Sequence, residues 1–313
     1  MMEYITLQNT GLRVSRFCMG GCPMGGYGWG SVQESELLDA IHAALDAGVN
    51  FFDTADTYGL GQSERTLAKG LGSRRRDVVI ESKFGVRVGG GKTVYDNSPE
   101  YIQQALEESL RRLNTDYIDV YLIHYRDGKT PIADVVGKLE ELKAAGKLRY
   151  YGLSNIHGDG LEELLPYAGR FACCQDELSL ACRKNEDDLR AVQSRLRATP
   201  MTWGSLGQGI LTGKYNRENV CFGADDRRSR EIYVNFHGER LAKNLKTVAV
   251  LAEIASVHGV STAAVAIRFI LDYLEGSVAL VGAKRPSQVK SNVEAMGWHL
   301  SEQELSLLER ASQ

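Results

Sequence analysis

Long apolar runs are missing from this 313-residue chain. Nothing in it approaches the roughly 20 consecutive apolar residues that a membrane helix needs. The opening MMEYITLQNTGLRVS lacks the apolar stretch of a secretion signal, so a cytoplasmic protein is expected. An excess of one charge is missing too. The 37 Lys and Arg against 40 Asp and Glu leave a net charge of −3, which offers no basic surface to nucleic acid or to an anionic membrane. Zinc-site spacing is absent. The six cysteines (Cys18, Cys22, Cys173, Cys174, Cys182 and Cys221) make no C-x-x-C pair and have no histidine nearby at ligand spacing. Buried, reduced thiols are expected, with Cys173 and Cys174 on opposite faces of a strand. No G-x-G-x-x-G follows the first strand-like run, which removes the fingerprint of a Rossmann domain. Linkers, low-complexity tracts and repeats longer than one βα unit are not found either.

What is present is an alternation. Short apolar runs of β type occur at 16–21, 50–56, 78–84, 117–124, 149–155, 171–178, 200–206 and 277–283. Amphipathic helical patterns separate them. In EYIQQALEESLRRL, Ile102, Leu106, Leu110 and Leu113 recur at helical spacing with charge between them. Glycine stops two of these helices in DAGVNFF and AAGKLRYYG. Eight strands with helices between them predict an α/β fold, a (β/α)8 barrel spanning 1–313 as a single domain. YITLQNTGLRVS lies outside the alternation and predicts an N-terminal β-hairpin that plugs the barrel's N-terminal end; extra helices are expected at the C-terminal end. Residues 85–98 are too glycine-rich for a packed element, and 207–236 form a second long loop. Long loops in compact domains are usually functional or mobile.

Barrels place reacting groups at the C-terminal ends of their strands. Asp53, Lys83 and His124 stand there, in the second, third and fourth runs, and Tyr58 follows the second on the glycine-rich turn TYGLG. Period-2 alternation sets Asp53 on the face of Phe51 and Ala55, and His124 on that of Ile118, Val120 and Leu122. Each of the four alone would be a cap, a solvated lysine, a core histidine or a packing aromatic. Together they suit delivery of a proton to a carbonyl oxygen while hydride arrives at carbon. Tyr58 would be the donor, Lys83 would lower its pKa, Asp53 would hold the lysine charged, and His124 would orient the carbonyl.

FFDTADTYGLGQSERTLAKGL, VVIESKFG, SPEYIQQALEESLRRLNTDYIDVYLIH, GKLRYYGLSN and LTGKY resemble the aldo-keto reductase superfamily over nearly the whole chain. The resemblance implies an NADP(H)-dependent carbonyl reductase with Asp53, Tyr58, Lys83 and His124 as its catalytic residues. It also implies that Ser154, Asn155 and Gln175 hydrogen-bond the nicotinamide carboxamide and that Trp203 stacks on the ring. Gly204, Ser205, Leu206, Gly207, Gly209, Gly213 and Lys214 would follow the pyrophosphate. GAKRPSQVKSN resembles the adenosine site through Gly282, Lys284, Gln288 and Asn292, with Lys284 and Arg285 facing the 2′-phosphate of NADP(H).

Three residues depart from the family pattern. Leu178 stands in place of an aromatic and would loosen the wall near the nicotinamide. Ser291 stands in place of a glutamate, which removes an adenine contact. Glu81 stands in place of a small residue; it either competes with Asp53 for Lys83 or, on a bulged strand, points elsewhere. Tyr27, Trp29, Tyr125 and Arg126 are the substrate candidates, and aromatics with one cation favour a keto-sugar or sugar aldehyde. The glycine-rich loop 85–98 would close over it. Two other readings stand beside reduction: a dehydrogenase acting on a sugar or sugar alcohol, and an NADPH-binding regulatory subunit like the relatives that dock on potassium channels. No extra N-terminal inactivating segment is present, which with the intact tetrad disfavours the second.

Overall fold

The computed structural model describes residues 1–26, 28–89, 92–223 and 225–313. The expected (β/α)8 barrel is the fold. Eight parallel strands close in chain order: β3 (Phe17–Gly20), β4 (Phe51–Asp53), β5 (Val79–Phe84), β8 (Ile118–Ile123), β9 (Leu148–Ser154), β10 (Cys173–Glu177), β11 (Thr199–Trp203) and β12 (Val278–Gly282). Side chains alternate across each strand, so one set fills the barrel and the other meets the helices. Phe51, Val79, Val120, Leu122, Cys173 and Met201 share the inner cluster, while Phe52, Ile80, Tyr121 and Cys174 belong to the outer one. Cys173 and Cys174 therefore do face opposite ways.

β1 (Tyr4–Thr6) and β2 (Arg13–Ser15) pair antiparallel as the expected hairpin. Leu7, Leu12 and Val14 from it join the inner cluster and close one end of the barrel. The other end is left to polar side chains.

The helices are α1 (Glu34–Asp46), α2 (Gln62–Leu71), α3 (Pro99–Leu113), α4 (Ile132–Ala144), the short α5 (Glu186–Ala191), α6 (Gly238–His258), α7 (Thr262–Tyr273), α8 (Pro286–Val293) and α9 (Glu302–Ser312). In α3, Ile102, Ala105, Leu106 and Leu113 are buried. Ser98 caps its first turn, Pro99 occupies a position where no N–H is needed, and Asn114 ends it in the left-handed region. No single helix among the described residues is long and apolar enough to cross a membrane. α9 packs on α6, and the Thr247 hydroxyl donates to the Ala311 carbonyl there.

Two expectations need correction. Residues 85–89 and 92–98 are not structureless: β6 (Val86–Gly89) and β7 (Lys92–Tyr95) pair antiparallel. Glycine counted against packing, but the flanking segments satisfy their backbone groups by pairing with each other, and Val88, Val94 and Tyr95 stay exposed. The thiols are not all buried either. Cys22 and Cys182 are half-buried and Cys221 is exposed; all six are free.

Candidate active site

Inner-face residues of successive strands converge at the open end. Residue 53 of β4, residues 81 and 83 of β5, residue 175 of β10 and residue 203 of β11 all share parity with the inner cluster. His124 follows β8 on the same face. Tyr58 comes from the turn between β4 and α2, and close backbone contact holds that turn. A Cβ on Gly59, which sits at φ +62°, would lie 2.1 Å from the Gly25 carbonyl oxygen, and one on Gly25 would lie 2.7 Å from the Gly59 nitrogen. Only glycine at both points lets the Tyr58 turn dock on the Cys22–Gly25 turn.

Lys83 is 1% exposed and Asp53 2%. The Lys83 ammonium donates to Asp53 Oδ1 and, at 2.9 Å, to the Thr54 carbonyl. It lies 3.4 Å from the Tyr58 hydroxyl. Burial pulls the lysine pKa down, yet Asp53, Tyr58 and Glu81 outweigh it and raise the pKa on balance, so Lys83 stays charged. Tyr58 departs from expectation. Burial drives its pKa up, and Lys83 opposes that shift without reversing it. The resting phenol thus keeps its proton, and the lysine limits the cost of the phenolate once the proton leaves. Burial, with Lys83 adding to it, lowers the His124 pKa to about 3. The imidazole is neutral and meets Tyr58 edge-on at 6.1 Å. Its Nδ1 is buried without a hydrogen-bond partner among the described residues, which leaves it aimed by packing against Tyr125 (stacked at 5.0 Å) and not by a carboxylate.

A cavity of about 690 Å³ opens above this group. Asp53, Tyr58, His124 and Tyr125 line it near the tetrad, together with Ser154, Asn155, Gln175 and Trp203, and Trp29 lines it beside Lys284. It continues past Gly204, Ser205, Leu206, Gly209 and Lys214 to Gly282, Lys284, Gln288, Ser291 and Asn292. Asn155 sits at φ +57°; its amide donates to the His124 carbonyl at 3.1 Å and its Oδ1 accepts from the Trp203 indole at 3.2 Å. One loop residue therefore ties the histidine to the tryptophan. Gln175 donates through Nε2 to Asp53 Oδ1 at 2.9 Å and also to Glu81 Oε1.

Several of the expected site residues do not line the cavity or are turned to other partners. Gly207 and Gly213 face the protein body, towards Ala181 and Thr262, and do not line the cavity. Arg285 is exposed and paired with Glu36 at 2.9 Å, while Lys284 turns inward with its ammonium on the Trp29 carbonyl at 2.6 Å. Arg126 is taken up by Glu163, the Asn97 side chain and the Thr130 carbonyl and does not line the cavity. Leu178 is fully buried with Leu189 and Leu274 and does not line the cavity. Tyr27 lies outside the described residues.

The model of the aldo/keto reductase family matches residues 16–313. The chain belongs to the aldo-keto reductase family. Aldo-keto reductase YhdN of Bacillus subtilis is 32% identical over 306 residues, covering 97% of this chain and 91% of its own length. An NADH-specific methylglyoxal reductase of Escherichia coli is 32% identical over 323 residues, with 98% and 97% covered. Among solved structures, a glycerol dehydrogenase from Gluconobacter oxydans superposes with a TM-score of 0.88 at 32% identity, covering 98% and 94%.

Sequence reasoning missed part of this reductase's cavity. Cys22, Gln208, Arg227, Arg228, Tyr233 and Ser261 line it as well. Arg228 is clamped by Asp226 at 2.6 Å and donates to the Tyr215 hydroxyl at 2.9 Å, and it packs over Phe222. The basic run in GADDRRSREI, on a loop too long to be a plain connection, was the available signal.

Proposed function

We propose that this aldo-keto reductase is a cytoplasmic, NADP(H)-dependent enzyme, one 1–313 domain, that reduces an aldehyde or ketone of the keto-sugar or sugar-aldehyde type to the alcohol. The observation that carries the reading is the buried Asp53–Lys83–Tyr58 relay opening with His124 into one cavity. The residues suit a nicotinamide dinucleotide. An amide, a hydroxyl and an indole cluster beside the tetrad, and Lys214, Arg228 and Lys284 gather at the far end. Ser154, Asn155, Gln175 and Trp203 would hold the nicotinamide, and Lys284 the 2′-phosphate. When bound, the cofactor would supply hydride to the carbonyl carbon. Tyr58 gives its proton to the carbonyl oxygen, and Lys83 offsets the charge left on the phenolate. His124, neutral, donates a hydrogen bond that orients the same oxygen. Tyr125, stacked on His124, forms an aromatic part of the substrate end, and Trp29 lines the same cavity beside Lys284.

Two facts bear on alternatives. The Escherichia coli relative is named as NADH-specific and the Gluconobacter structure as a glycerol dehydrogenase. The same residues serve oxidation of a polyol when Tyr58 acts in reverse. NADPH and NADH consumption over a panel of keto-sugars, sugar aldehydes and methylglyoxal, with glycerol tested in the oxidising direction, decides between them. Fastest turnover of a sugar carbonyl with NADPH is expected. Preferred glycerol oxidation would overturn the direction, and binding without turnover of any compound would favour the regulatory-subunit reading.

Cofactor choice has its own test. Lys284→Ala alone should weaken NADPH by roughly ten-fold or more, the worth of one charge-assisted hydrogen bond of ~1.5–3 kcal/mol, and leave NADH almost unchanged. Arg285→Ala should do little to either, because its partner is Glu36. Fluorescence titration of both cofactors measures this. Parallel losses of NADPH and NADH in Lys284→Ala would show that the lysine does not read the phosphate.

A further inference from the structure

Glu81 has no part in the reaction as described, yet it is fully buried in the floor of the site. It neither competes for Lys83 nor points away. The lysine's hydrogen bonds go to Asp53, Thr54 and Tyr58, whereas Glu81 Oε1 accepts from Gln175 Nε2, the same nitrogen that donates to Asp53 Oδ1, and Glu81 lies directly opposite Asp53 in the β4–β5 register. Its other oxygen lies 3.5 Å from the Cys173 sulfur. The groups facing it are Asp53 from β4, Lys83 on its own strand, Cys173 and Gln175 from β10, and Cys18 from β3. Lys83 is the one cation among them.

Two carboxyl groups held on one amide nitrogen cannot both be ionised out of water beside a single cation without leaving a net buried charge. One proton must stay, and it can be shared between the two as a carboxyl–carboxylate hydrogen bond. Asp53 faces the ammonium directly, so the proton belongs on Glu81. We propose that Glu81 is a positioning residue, a neutral carboxylic acid that donates to the Asp53 carboxylate while its carbonyl oxygen fixes the amide of Gln175. Burial, followed by repulsion from Asp53, pushes its pKa well up, in agreement with this assignment.

The consequence reaches the cofactor end. With Nε2 committed to both acidic side chains, Gln175 has only its carbonyl oxygen left for the cavity. It can then accept from a carboxamide N–H but cannot donate to one. This consequence rests on the cofactor reading above; the protonation of Glu81 does not.

The test uses the whole protein without substrate. Infrared difference spectra at neutral pH should show the carbonyl stretch of a protonated carboxylic acid in the wild type that is missing from both Glu81→Gln and Glu81→Met. Glutamine copies the neutral acid, with a donor for Asp53 and an acceptor for Gln175; methionine has the length and neither group. Glu81→Gln should therefore bind nicotinamide cofactor within about three-fold of wild type, and Glu81→Met about ten-fold more weakly. If Glu81→Met does not fold, Gln175→Leu replaces it, with a similar loss of cofactor affinity and the infrared band retained. Absence of a band that depends on Glu81 would overturn the proposal whatever the enzyme reduces. Equal weakening by glutamine and methionine would overturn the positioning role.

Discussion

Tyr58→Phe should lower carbonyl reduction by at least ~10²-fold, within the ~10²–10⁴-fold usually lost with a general acid, and leave cofactor affinity within a few-fold. The ring remains, with its edge contact to His124 and its place over the Lys83 ammonium, 4.9 Å from the ring centre. Only the transferable proton is removed. Because burial holds the phenol well above its usual pKa, the wild-type donor stays protonated at neutral and mildly alkaline pH. Loss of activity in the variant thus measures loss of the proton and not a change in the fraction protonated. Kinetics in single turnover beside cofactor titration give both numbers. A phenylalanine variant that keeps near wild-type rates on every accepted carbonyl would remove Tyr58 from the chemistry.

Lys83→Met carries the second large effect, and it shows in stability as well as in rate. Methionine matches the stem but leaves Asp53 facing only Glu81 and Gln175, a buried carboxylate without its cation. Breaking a buried ion pair from one side commonly costs ~3–5 kcal/mol, so a marked fall in urea midpoint is expected. The rate should fall by ~10²-fold or more, and Tyr58→Phe added on top should cost much less than it does alone, because the phenol has already lost the charge that stabilises its phenolate. Losses that multiply independently would mean that the two side chains do not act together.

The sequence carried the barrel almost to its strand ends. Inner and outer faces differ in every strand, so the period-2 pattern of Phe51-Phe52-Asp53 or Val120-Tyr121-Leu122 could be read directly. Asp53, Lys83 and His124 stood out for the same reason, as ionisable groups ending apolar inner faces. What escaped depends on neighbours that no local pattern names. Arg126 and Arg285 look available until Glu163 and Glu36 come into reach, and both partners lie far away in the chain. The β6–β7 pair looked too rich in glycine because it is stabilised by its own ladder and not by a core. The direction of the Tyr58 shift was misjudged because proximity to Lys83 is visible in a motif, whereas depth of burial is not. Glu81 could be noticed as an oddity; its partnership with Gln175 required strand β10 beside it.

The central claim is that Tyr58 supplies the proton and the nicotinamide the hydride to one carbonyl group in this cavity. Single turnover with NADPH carrying deuterium at the transferable position, in wild type and Tyr58→Phe, tests it most directly. Wild type should place one deuterium on the former carbonyl carbon of the product alcohol, and Tyr58→Phe should do so at least ~10²-fold more slowly from an equally occupied cofactor site. A product without deuterium, or transfer at the same rate in both proteins, would contradict the account.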